Sequence, residues 1–283
     1  MRNRKSVSDI LELKQQGRKI VMVTAYDYAF AKLADEAGVD IILVGDSAAM
    51  VMMGYPDTRY ITLDEMIVFC KSASRGVSHA LVVGDMPFMS YQSSVDEAVR
   101  NAGRMVREGM VDAVKLEGGG EYADVIKAIV RAGIPVMAHV GLTPQSAPMQ
   151  TGYRKKGKTG EEAAKIIEDA KAVEKAGAFS LVVEYTSSEV TKIITEELQI
   201  PVIGIGSGRY CDGQVLVMHD ILGLYETPPK FAKQYTNLKE ITIQALTTYA
   251  KEVREGLFPE EKHSFHMKEQ EYNKLQQLIG RKT

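Results

Sequence analysis

A repeated unit constrains the fold of this chain more than any other sequence feature. Each unit is an amphipathic stretch, a glycine, and then a short run of β-branched and other apolar residues. The glycines stand at positions 17, 38, 76, 109, 133 and 177, where we predict that each ends a helix in the left-handed conformation. A seventh run follows Pro201, a residue that also stops a helix. With an eighth candidate, the predicted strands are 20–23, 41–44, 80–83, 113–116, 136–138, 180–183, 202–205 and 215–218.

The segments between these runs carry helix signals. Ser or Thr followed three residues later by Glu fits a capping box at three predicted helix starts: Thr62/Glu65, Ser94/Glu97 and Thr159/Glu162. An apolar stripe at helical spacing precedes the second strand, at Phe30, Leu33, Ala34 and Ala37. The strands are apolar throughout, as in a parallel sheet covered by helices. Eight such units predict an α/β fold, a closed (βα)8 TIM barrel, in preference to an open doubly wound sheet.

Length alone allows either one barrel or two domains. The chain has 283 residues, and a single α/β barrel takes about 250. No linker rich in Pro, Ser or Gly divides it, so we predict a single barrel domain over residues 1–283. Within it, residues 228–283 are a predicted C-terminal helical extension with its core at 241–254. Residues 45–60 and 141–158 are predicted loops after the second and fifth strands, and the second loop has a length typical of a functional lid.

Composition and charge exclude several classes of protein. The 35 basic and 37 acidic side chains give a formal net charge of −2. The chain therefore has no excess of positive charge that would attract nucleic acid or an anionic membrane. No apolar run approaches the roughly 18 residues of a membrane span, and no apolar segment typical of a secretory signal follows the charged N-terminus. Two cysteines, Cys70 and Cys211, cannot build a disulfide framework, which favours the cytoplasm. We therefore expect a cytoplasmic enzyme or small-molecule binder.

Polar residues follow the predicted strands at the end where a (βα)8 barrel carries its active site. The candidate site residues are Asp46, Ser47, Asp85, Lys115, Glu117, His139 and Glu184. In this prediction His139 ends the fifth strand and Glu184 ends the sixth. Four carboxylates at one rim repel one another and lose hydration together, so they need a counter-charge. Oxygen ligands without cysteine predict Mg²⁺, or Mn²⁺, in preference to structural zinc.

Each of these residues also has a purely structural interpretation. Asp46 and Asp85 could cap the helices that follow them. Lys115 and Glu117 share a strand face and could form a buried ion pair. His139 could be a hydrogen-bonded core residue. Glu184 is the hardest to explain structurally, because an acid that closes an apolar strand needs a partner.

Two weaker features leave alternatives open. The glycine-rich turn at 204–208 fits either a phosphate cradle of backbone N–H groups or a tight bend. The basic cluster at 154–158 is either a solvated loop or, if it covers the site, a region that attracts a polyanionic tail.

Several sequence blocks, in order, resemble the ketopantoate hydroxymethyltransferase family. The blocks lie at 44–47 (Val-Gly-Asp-Ser), 62–66 (Thr-Leu-Asp-Glu-Met), 84–87 (Gly-Asp-Met-Pro), 114–119 (Val-Lys-Leu-Glu-Gly-Gly), 139–146 (His-Val-Gly-Leu-Thr-Pro-Gln-Ser) and 211–220. The resemblance runs from about residue 24 to residue 265. Departures occur after Glu184, where Tyr-Thr-Ser replaces the usual Cys-Val-Pro, in the lid at 151–157, at 87–90, and at Met50, Met52 and Met53.

The resemblance implies an activity and a role for each candidate residue. Members transfer a hydroxymethyl group from 5,10-methylenetetrahydrofolate to 3-methyl-2-oxobutanoate, giving 2-dehydropantoate through a Mg²⁺-stabilised enolate. By this resemblance the metal ligands are Asp46, Asp85 and Glu117. The oxo acid would contact Asp46, Ser47, Asp85 and Lys115. Glu184 would be the catalytic base, with His139 as an additional site residue, and the family implies a homo-oligomer, commonly a decamer.

Two other functions stay open on the sequence. One is a Mg²⁺-dependent barrel acting on 2-oxo acids or phosphoenolpyruvate, of the isocitrate lyase kind. That group usually carries a Lys-Lys-Cys-Gly-His-type loop, and neither cysteine here has that neighbourhood. The other is a non-catalytic barrel that binds a ligand.

Overall fold

The computed structural model describes residues 4–146, 153–225 and 228–280. Contacts divide the chain into two compact units, Met1–Tyr235 and Thr236–Thr283. The first unit contains the barrel and every candidate site residue, and the second contains the last helices.

Eight parallel strands in chain order close into a barrel, which confirms the predicted (βα)8 fold. The strands are β1 Ile20–Thr24, β2 Ile41–Val44, β3 Leu81–Asp85, β4 Ala113–Lys115, β5 Val136–Gly141, β6 Ser180–Glu184, β7 Val202–Ile205 and β8 Gly213–Leu216. β8 pairs with β1, with Val215 opposite Met22, and this pairing closes the ring.

The described helices of the first unit lie before β1, between successive strands from β1 to β7, and after β8. They are α1 Val7–Gln15, α2 Tyr28–Glu36, α3 Ala48–Val51, α4 Leu63–Gly76, α5 Val95–Gly109, α6 Ala123–Arg131, α7 Gly160–Lys175, α8 Ser188–Glu197 and α9 Met218–Leu222. Short 3₁₀ turns lie at Thr58–Tyr60 and Gly120–Tyr122. Residues 206–212, all described, join β7 to β8 without a helix. On the outer face of the neighbouring β1, Val21 is consequently exposed.

The barrel has two apolar layers because successive strand residues point to opposite faces. Inward-facing residues, such as Met22, Leu43 and Val83, pack in the interior, and Ile10 and Leu13 of α1 join the same cluster. Outward-facing residues, such as Val44 and Val82, pack against the surrounding helices in a second cluster.

The predicted strand positions are right but several ends differ. β5 continues to Gly141 because its ladder with β6 runs on to the pair Gly141–Glu184. His139 therefore lies inside β5, and the prediction that it ends the strand is wrong. β8 begins at Gly213, and Met218, predicted as the end of that strand, begins α9 instead.

Two of the six glycines end their helices as predicted but without the left-handed conformation, and they serve close packing. Positions 17, 38, 133 and 177 have positive φ, as predicted. Gly76 does not, and a Cβ there would overlap the carbonyl oxygen of Tyr28 in α2. A Cβ on Gly109 would lie 2.9 Å from the Cβ of Cys70 in α4. These two glycines let neighbouring helices approach closely.

The buried face of α2 is rotated by part of a turn from the predicted apolar stripe, so that prediction is wrong. Leu33 is 59% exposed, whereas Ala31, Ala34 and Asp35 are buried. Asp35 is buried because its carboxylate accepts hydrogen bonds from the backbone N–H groups of residues 78, 79 and 80, just before β3. A polar anchor, which a hydrophobic pattern does not show, therefore sets the face that α2 buries.

The predicted caps are present, although only one box is complete. Thr62 and Glu65 bond reciprocally at the start of α4. Ser94 and Thr159 accept from the backbone N–H groups of Glu97 and Glu162. In the last two boxes the glutamate does not bond back to the cap residue. The Glu97 carboxylate accepts a hydrogen bond from the Ser93 hydroxyl, and that of Glu162 accepts one from the Lys158 backbone N–H.

The second unit is helical, as predicted for the C-terminal extension. It contains α10 Leu238–Arg254, a 3₁₀ turn at Glu261–His263 and α11 Glu269–Leu278. Neither α10 nor α11 has a buried residue among those described. Within the three described ranges, no helix combines the length and the apolar character needed to cross a membrane.

Candidate active site

Residues from all eight strands, together with the segments that follow them, surround one cavity of about 520 Å³. Because parallel barrel strands all end at the same rim, polar residues distant in sequence meet there. All seven predicted site residues line the cavity: Asp46, Ser47, Asp85, Lys115, Glu117, His139 and Glu184. Asp220, which follows β8 and was not predicted, lines it as well.

Lys115 and Asp85 form a buried ion pair on adjacent strands. The Nζ atom of Lys115 lies 2.8 Å from Oδ1 and 2.9 Å from Oδ2 of Asp85. Burial acts to lower the pKa of Lys115, but Asp85, Glu117 and Asp46 outweigh it and raise that pKa above the ordinary value. The lysine therefore carries a positive charge at neutral pH. The partner of Lys115 is thus Asp85, not Glu117 as in the structural alternative.

The negative charges of Asp46 and Glu117 are less well compensated than that of Asp85, which Lys115 contacts directly. Burial raises the pKa of Asp46 well above its ordinary value, and the charges of Asp85 and Glu117 raise it further. Burial likewise raises the pKa of Glu117, against the opposing effect of Lys115. Asp46 caps no helix, since α3 begins after Ser47 without a side-chain cap. Two carboxylates held at a cost in free energy are typical of a functional site.

Gln145 is the main site residue that the sequence prediction missed. Its Nε2 donates to Oδ2 of Asp46 at 3.0 Å, and its backbone N–H donates to Oε2 of Glu117 at 3.0 Å. It lies in the block at 139–146 that carries the family resemblance. That block was its one available signal, because a lone glutamine in a loop has no distinguishing pattern.

His139 lies between two carboxylates in the floor of the cavity. Nδ1 is 3.5 Å from Oε1 of Glu117, and Nε2 is 3.4 Å from Oε2 of Glu184. Neither ring nitrogen has a hydrogen-bond partner within the described part of the chain. Burial lowers the pKa of His139 well below its ordinary value, so the ring is neutral at pH 7. It is therefore not the satisfied core histidine of the structural alternative.

Glu184 is the last residue of β6 and faces the cavity. Its side chain is 18% exposed, compared with 1% for Asp85 and 3% for Glu117. Burial raises its pKa well above the ordinary value, and the charge of Glu117 adds to this effect. A carboxylate with a raised pKa is a stronger base once it is ionised.

Part of the cavity lining, here called the apolar wall, is largely apolar and aromatic. It is lined by Met50, Val51, Tyr55, Tyr153, Tyr225 and Phe231. Of these, the sequence analysis singled out Met50 and, within the divergent lid at 151–157, Tyr153. The wall comes from loops that follow different strands, so no local pattern brings its members together. A cavity lined by both charged and apolar side chains suits a small acid bound together with a partly apolar molecule.

The donor set fits a divalent cation that also takes ligands from substrate and water. Asp46, Asp85 and Glu117 supply buried carboxylate oxygens, and His139 has two buried nitrogens without hydrogen bonds. Within the described residues, no three His, Cys, Asp or Glu side chains are already arranged to hold a metal ion. Mg²⁺ matches this arrangement, since it usually keeps several waters and takes one or two carboxylates.

The glycine-rich turn at 204–208 is built around Ser207. The Ser207 hydroxyl donates to the carbonyl of Val183 and accepts from the backbone N–H of Thr186. Gly206 and Gly208 have positive φ, and a Cβ on Gly208 would overlap Ser188. These contacts support the interpretation of a tight bend.

The predicted lid is only partly described. Residues 147–152 lie outside the described ranges. Of the basic cluster, the backbone N–H of Lys156 donates to the carbonyl of Tyr185, and the carbonyl of Lys156 accepts from the N–H of Ser187. Tyr153 lines the cavity, so this loop reaches the site.

A closed parallel barrel with carboxylates and a lysine at its C-terminal rim defines the protein as a (βα)8-barrel enzyme. The sequence model of ketopantoate hydroxymethyltransferase matches residues 4–261. A 3-methyl-2-oxobutanoate hydroxymethyltransferase from Staphylothermus marinus is 58% identical over 95% of this chain and 98% of its own length. One from Clostridium botulinum (strain 657 / Type Ba4) is 53% identical over 96% and 99%. The chain belongs to the ketopantoate hydroxymethyltransferase family and is a hydroxymethyltransferase, which confirms the resemblance.

Solved structures with low sequence identity share the fold. A phosphoenolpyruvate phosphomutase from Streptomyces platensis subsp. rosaceus matches with a TM-score of 0.61 and 16% identity, over 98% of this chain and 96% of that chain. A phosphonopyruvate hydrolase in complex with oxalate and Mg²⁺ matches with a TM-score of 0.60 and 14% identity, over 98% and 99%. These likenesses concern the fold alone, whereas family membership favours the transferase over both alternatives.

Proposed function

We propose that this protein transfers a hydroxymethyl group from 5,10-methylenetetrahydrofolate to 3-methyl-2-oxobutanoate, giving 2-dehydropantoate. The observation that carries the proposal is the position of Glu184, which faces the same cavity as the Lys115–Asp85 pair and the carboxylates of Asp46 and Glu117. A base, a cation for a substrate carboxylate and a set of metal-ligand oxygens thus meet in one place. The relatives that are 52–58% identical bear the name of this reaction.

Lys115 and Ser47 would bind the oxo acid, together with Asp46 and Asp85. The charge of Lys115 would attract the substrate carboxylate. Ser47 presents a hydroxyl that is already oriented, because its Oγ lies 2.8 Å from the hydroxyl of the buried Tyr26. These contacts would place C3 of the substrate in the cavity that Glu184 faces.

Asp46, Asp85 and Glu117 would hold Mg²⁺. When bound, the cation would supply electrophilic stabilisation for the negative charge that develops on the keto oxygen. The chain's own contribution is to hold three carboxylates and one lysine in a buried cavity, where their charges act strongly.

Glu184 would remove the C3 proton of 3-methyl-2-oxobutanoate. Its raised pKa makes its carboxylate a better proton acceptor than an ordinary glutamate, at the cost of needing a higher pH for ionisation. C3 then forms a bond to the methylene carbon of the folate. Both bonds from that carbon to the folate nitrogens break, and the two nitrogens take up the C3 proton and one proton from water. Water supplies the hydroxyl oxygen, and tetrahydrofolate leaves. The apolar wall that includes Tyr55 and Tyr225 would hold the folate ring.

The first half of this reaction can be tested without folate. In D₂O with Mg²⁺, the protein should exchange the C3 proton of 3-methyl-2-oxobutanoate for deuterium, as followed by NMR. Glu184→Gln should lower this rate by about 10²- to 10⁴-fold, because the proton acceptor is lost. Glu189→Gln, a change of the same type on the surface of α8, should exchange at the wild-type rate.

Two results would contradict the proposal. Undiminished exchange by Glu184→Gln would remove Glu184 from the role of base. Wild-type protein that shows no Mg²⁺-dependent exchange would refute proton abstraction at C3 itself.

We also propose that the protein is a cytoplasmic homo-oligomer, a decamer by family resemblance. The free and buried thiols of Cys70 and Cys211 are consistent with a reducing compartment. Helix α10 has no buried residue but carries large exposed apolar side chains, among them Ile241, Leu246 and Tyr249. An apolar helix surface of this kind is typical of a protein–protein contact.

A further inference from the structure

One buried residue contacts both carboxylates that Lys115 does not hold. Gln145 is 2% exposed. Its Nε2 donates to Oδ2 of Asp46 at 3.0 Å, and its backbone N–H donates to Oε2 of Glu117 at 3.0 Å. Lys115 meanwhile contacts both oxygens of Asp85. Lys115 and Gln145 together therefore contact all three predicted metal ligands, and Gln145 contacts two of them.

The surroundings of Gln145 allow only one orientation of its amide. Nε2 donates to the carbonyl oxygen of Met86 at 2.9 Å as well as to Asp46. Oε1 accepts from the Tyr91 hydroxyl at 2.8 Å and from Nε2 of Gln92 at 3.3 Å. A flipped amide would place its oxygen against a carboxylate and a carbonyl, with its NH₂ group next to another NH₂. The donor end must therefore face Asp46.

Tyr91 extends this arrangement toward Glu117. Its hydroxyl is buried, 2.8 Å from Oε1 of Gln145 and 3.0 Å from the carbonyl oxygen of Glu117. The backbone N–H of Glu117 donates back to the same hydroxyl at 3.2 Å. One network thus connects Tyr91, Gln145, Asp46 and Glu117 without a charged donor.

Neutral donors suit this position. A second lysine would neutralise the carboxylates and compete with a cation for their oxygens. An amide stabilises the ionised carboxylates through hydrogen bonds and leaves their charge in place. It also occupies one oxygen of each, which fixes the direction in which the other is presented. Groups that orient metal ligands in this way are a regular part of metal sites.

We infer that Gln145 is a positioning residue for the reaction: it holds Asp46 and Glu117 in the arrangement that binds the divalent cation, and Tyr91 keeps its amide in the required orientation. This inference rests on the proposed function, since it requires a cation at these carboxylates. Gln145 itself has no part in the proton transfer.

The test measures metal binding instead of turnover. Mn²⁺ is titrated into wild-type protein with 3-methyl-2-oxobutanoate present, and free Mn²⁺ is followed by its electron paramagnetic resonance signal. Gln145→Leu keeps the volume of the side chain but removes the amide, and should weaken Mn²⁺ binding about 10- to 100-fold. Gln199→Leu, the same change at an exposed position, should bind Mn²⁺ as wild type does.

A second variant guards against misfolding of the first. Tyr91→Phe removes only the hydroxyl that orients the amide, and should weaken Mn²⁺ binding about two- to tenfold, the effect of one net hydrogen bond. Thermal unfolding of the metal-free proteins reports any loss of stability separately. A purely structural role would lower the unfolding temperature and leave the Mn²⁺ affinity of the folded protein unchanged.

The possible failures can be told apart. If wild type binds Mn²⁺ and folded Gln145→Leu binds it equally well, the role of the Gln145 side chain is refuted and the proposed function stands. Equal binding by Tyr91→Phe refutes the orienting role of Tyr91. If wild type binds no Mn²⁺ even with the oxo acid, the metal part of the proposed function fails, and this inference fails with it.

Discussion

Two buried aspartates show how single neighbours decide the chemistry of a carboxylate. Burial acts to raise the pKa of Asp35, but the backbone N–H groups of residues 80, 78 and 79 outweigh it and lower that pKa. Asp46 is also buried, yet its neighbours include Asp85 and Glu117, and its pKa is raised. Asp35 therefore stabilises the fold as an anion, whereas Asp46 is held as an anion only at a cost.

Asp35→Asn should lower the free energy of unfolding at pH 7 by about 1–3 kcal/mol, because an amide oxygen cannot replace a carboxylate that accepts three N–H groups. The folded-state pKa of Asp35 is lowered, so its contribution is present above the unfolded pKa near 3.8 and is lost as pH falls through the folded value. Urea unfolding at pH 7 and at successively lower pH should show the difference between variant and wild type shrinking below about pH 4.

A neighbouring residue serves as the control. Glu36 is exposed and forms an ion pair with Lys32 one turn away, so Glu36→Gln should change stability by less than about 0.5 kcal/mol. If the difference in unfolding free energy between wild type and Asp35→Asn stays constant as the pH is lowered to the acid transition, Asp35 is not an ionised carboxylate stabilised by these N–H groups.

At the scale of elements, the site depends on how closely the ends of β5 and β6 approach. Gly141 pairs with Glu184 in the strand ladder and has a φ of 97°. A Cβ at this position would overlap the carbonyl oxygen of Glu184 and the Oγ1 atom of Thr186. The strand end that carries Glu184 can therefore occupy its position only beside a glycine.

Gly141→Ala should impair both stability and proton exchange. The left-handed backbone and the overlap with β6 should cost about 1–3 kcal/mol of unfolding free energy. A displaced Glu184 should lower the exchange rate at saturating substrate by up to about 100-fold. Urea unfolding and the NMR exchange assay measure the two effects.

Gly103 provides a matched comparison within α5. A Cβ there would meet no atom within 4 Å, so Gly103→Ala should raise stability by about 0.5–1 kcal/mol and leave exchange unchanged. If Gly141→Ala exchanges at the wild-type rate, the close approach of β5 and β6 is not what positions Glu184.

At the scale of the whole molecule, the chain combines a barrel unit with a helical unit of different character. The barrel unit has a buried interior and a layer of helices, whereas the helices of Thr236–Thr283 bury none of their described residues. The sequence predicts that the helical extension begins at residue 228, whereas in the structure the first compact unit ends at Tyr235. That residues 1–283 form a single domain stays a prediction, and we expect the exposed apolar surface of α10 to make contacts between copies of the chain.

Sedimentation velocity should therefore show a species several times heavier than one 31.2 kDa chain, and about ten times heavier if the family assembly is kept. Leu246→Asp, which places a charge on the exposed apolar surface of α10, should shift the protein toward smaller species. A wild-type protein that sediments as a single chain at micromolar concentration would refute the oligomer.

The sequence by itself determined the barrel, its eight strands and the polar residues at their ends. Periodic apolar runs and turn glycines act locally, so they can be read without knowing which segments meet. The topology of a parallel barrel then brings Asp46, Asp85, Lys115, Glu117 and Glu184 together at one rim, although the roles assigned to them stay predictions.

Only the tertiary structure decided which neighbours these residues have. Gln145 reaches Asp46 across 99 positions of sequence, and Tyr91 orients it from another loop. Gly76 and Gly109 serve helix packing, and Asp35 sets the buried face of α2. Each of these depends on distances between segments far apart in the chain, and no local pattern of hydrophobicity or turn residues encodes such distances.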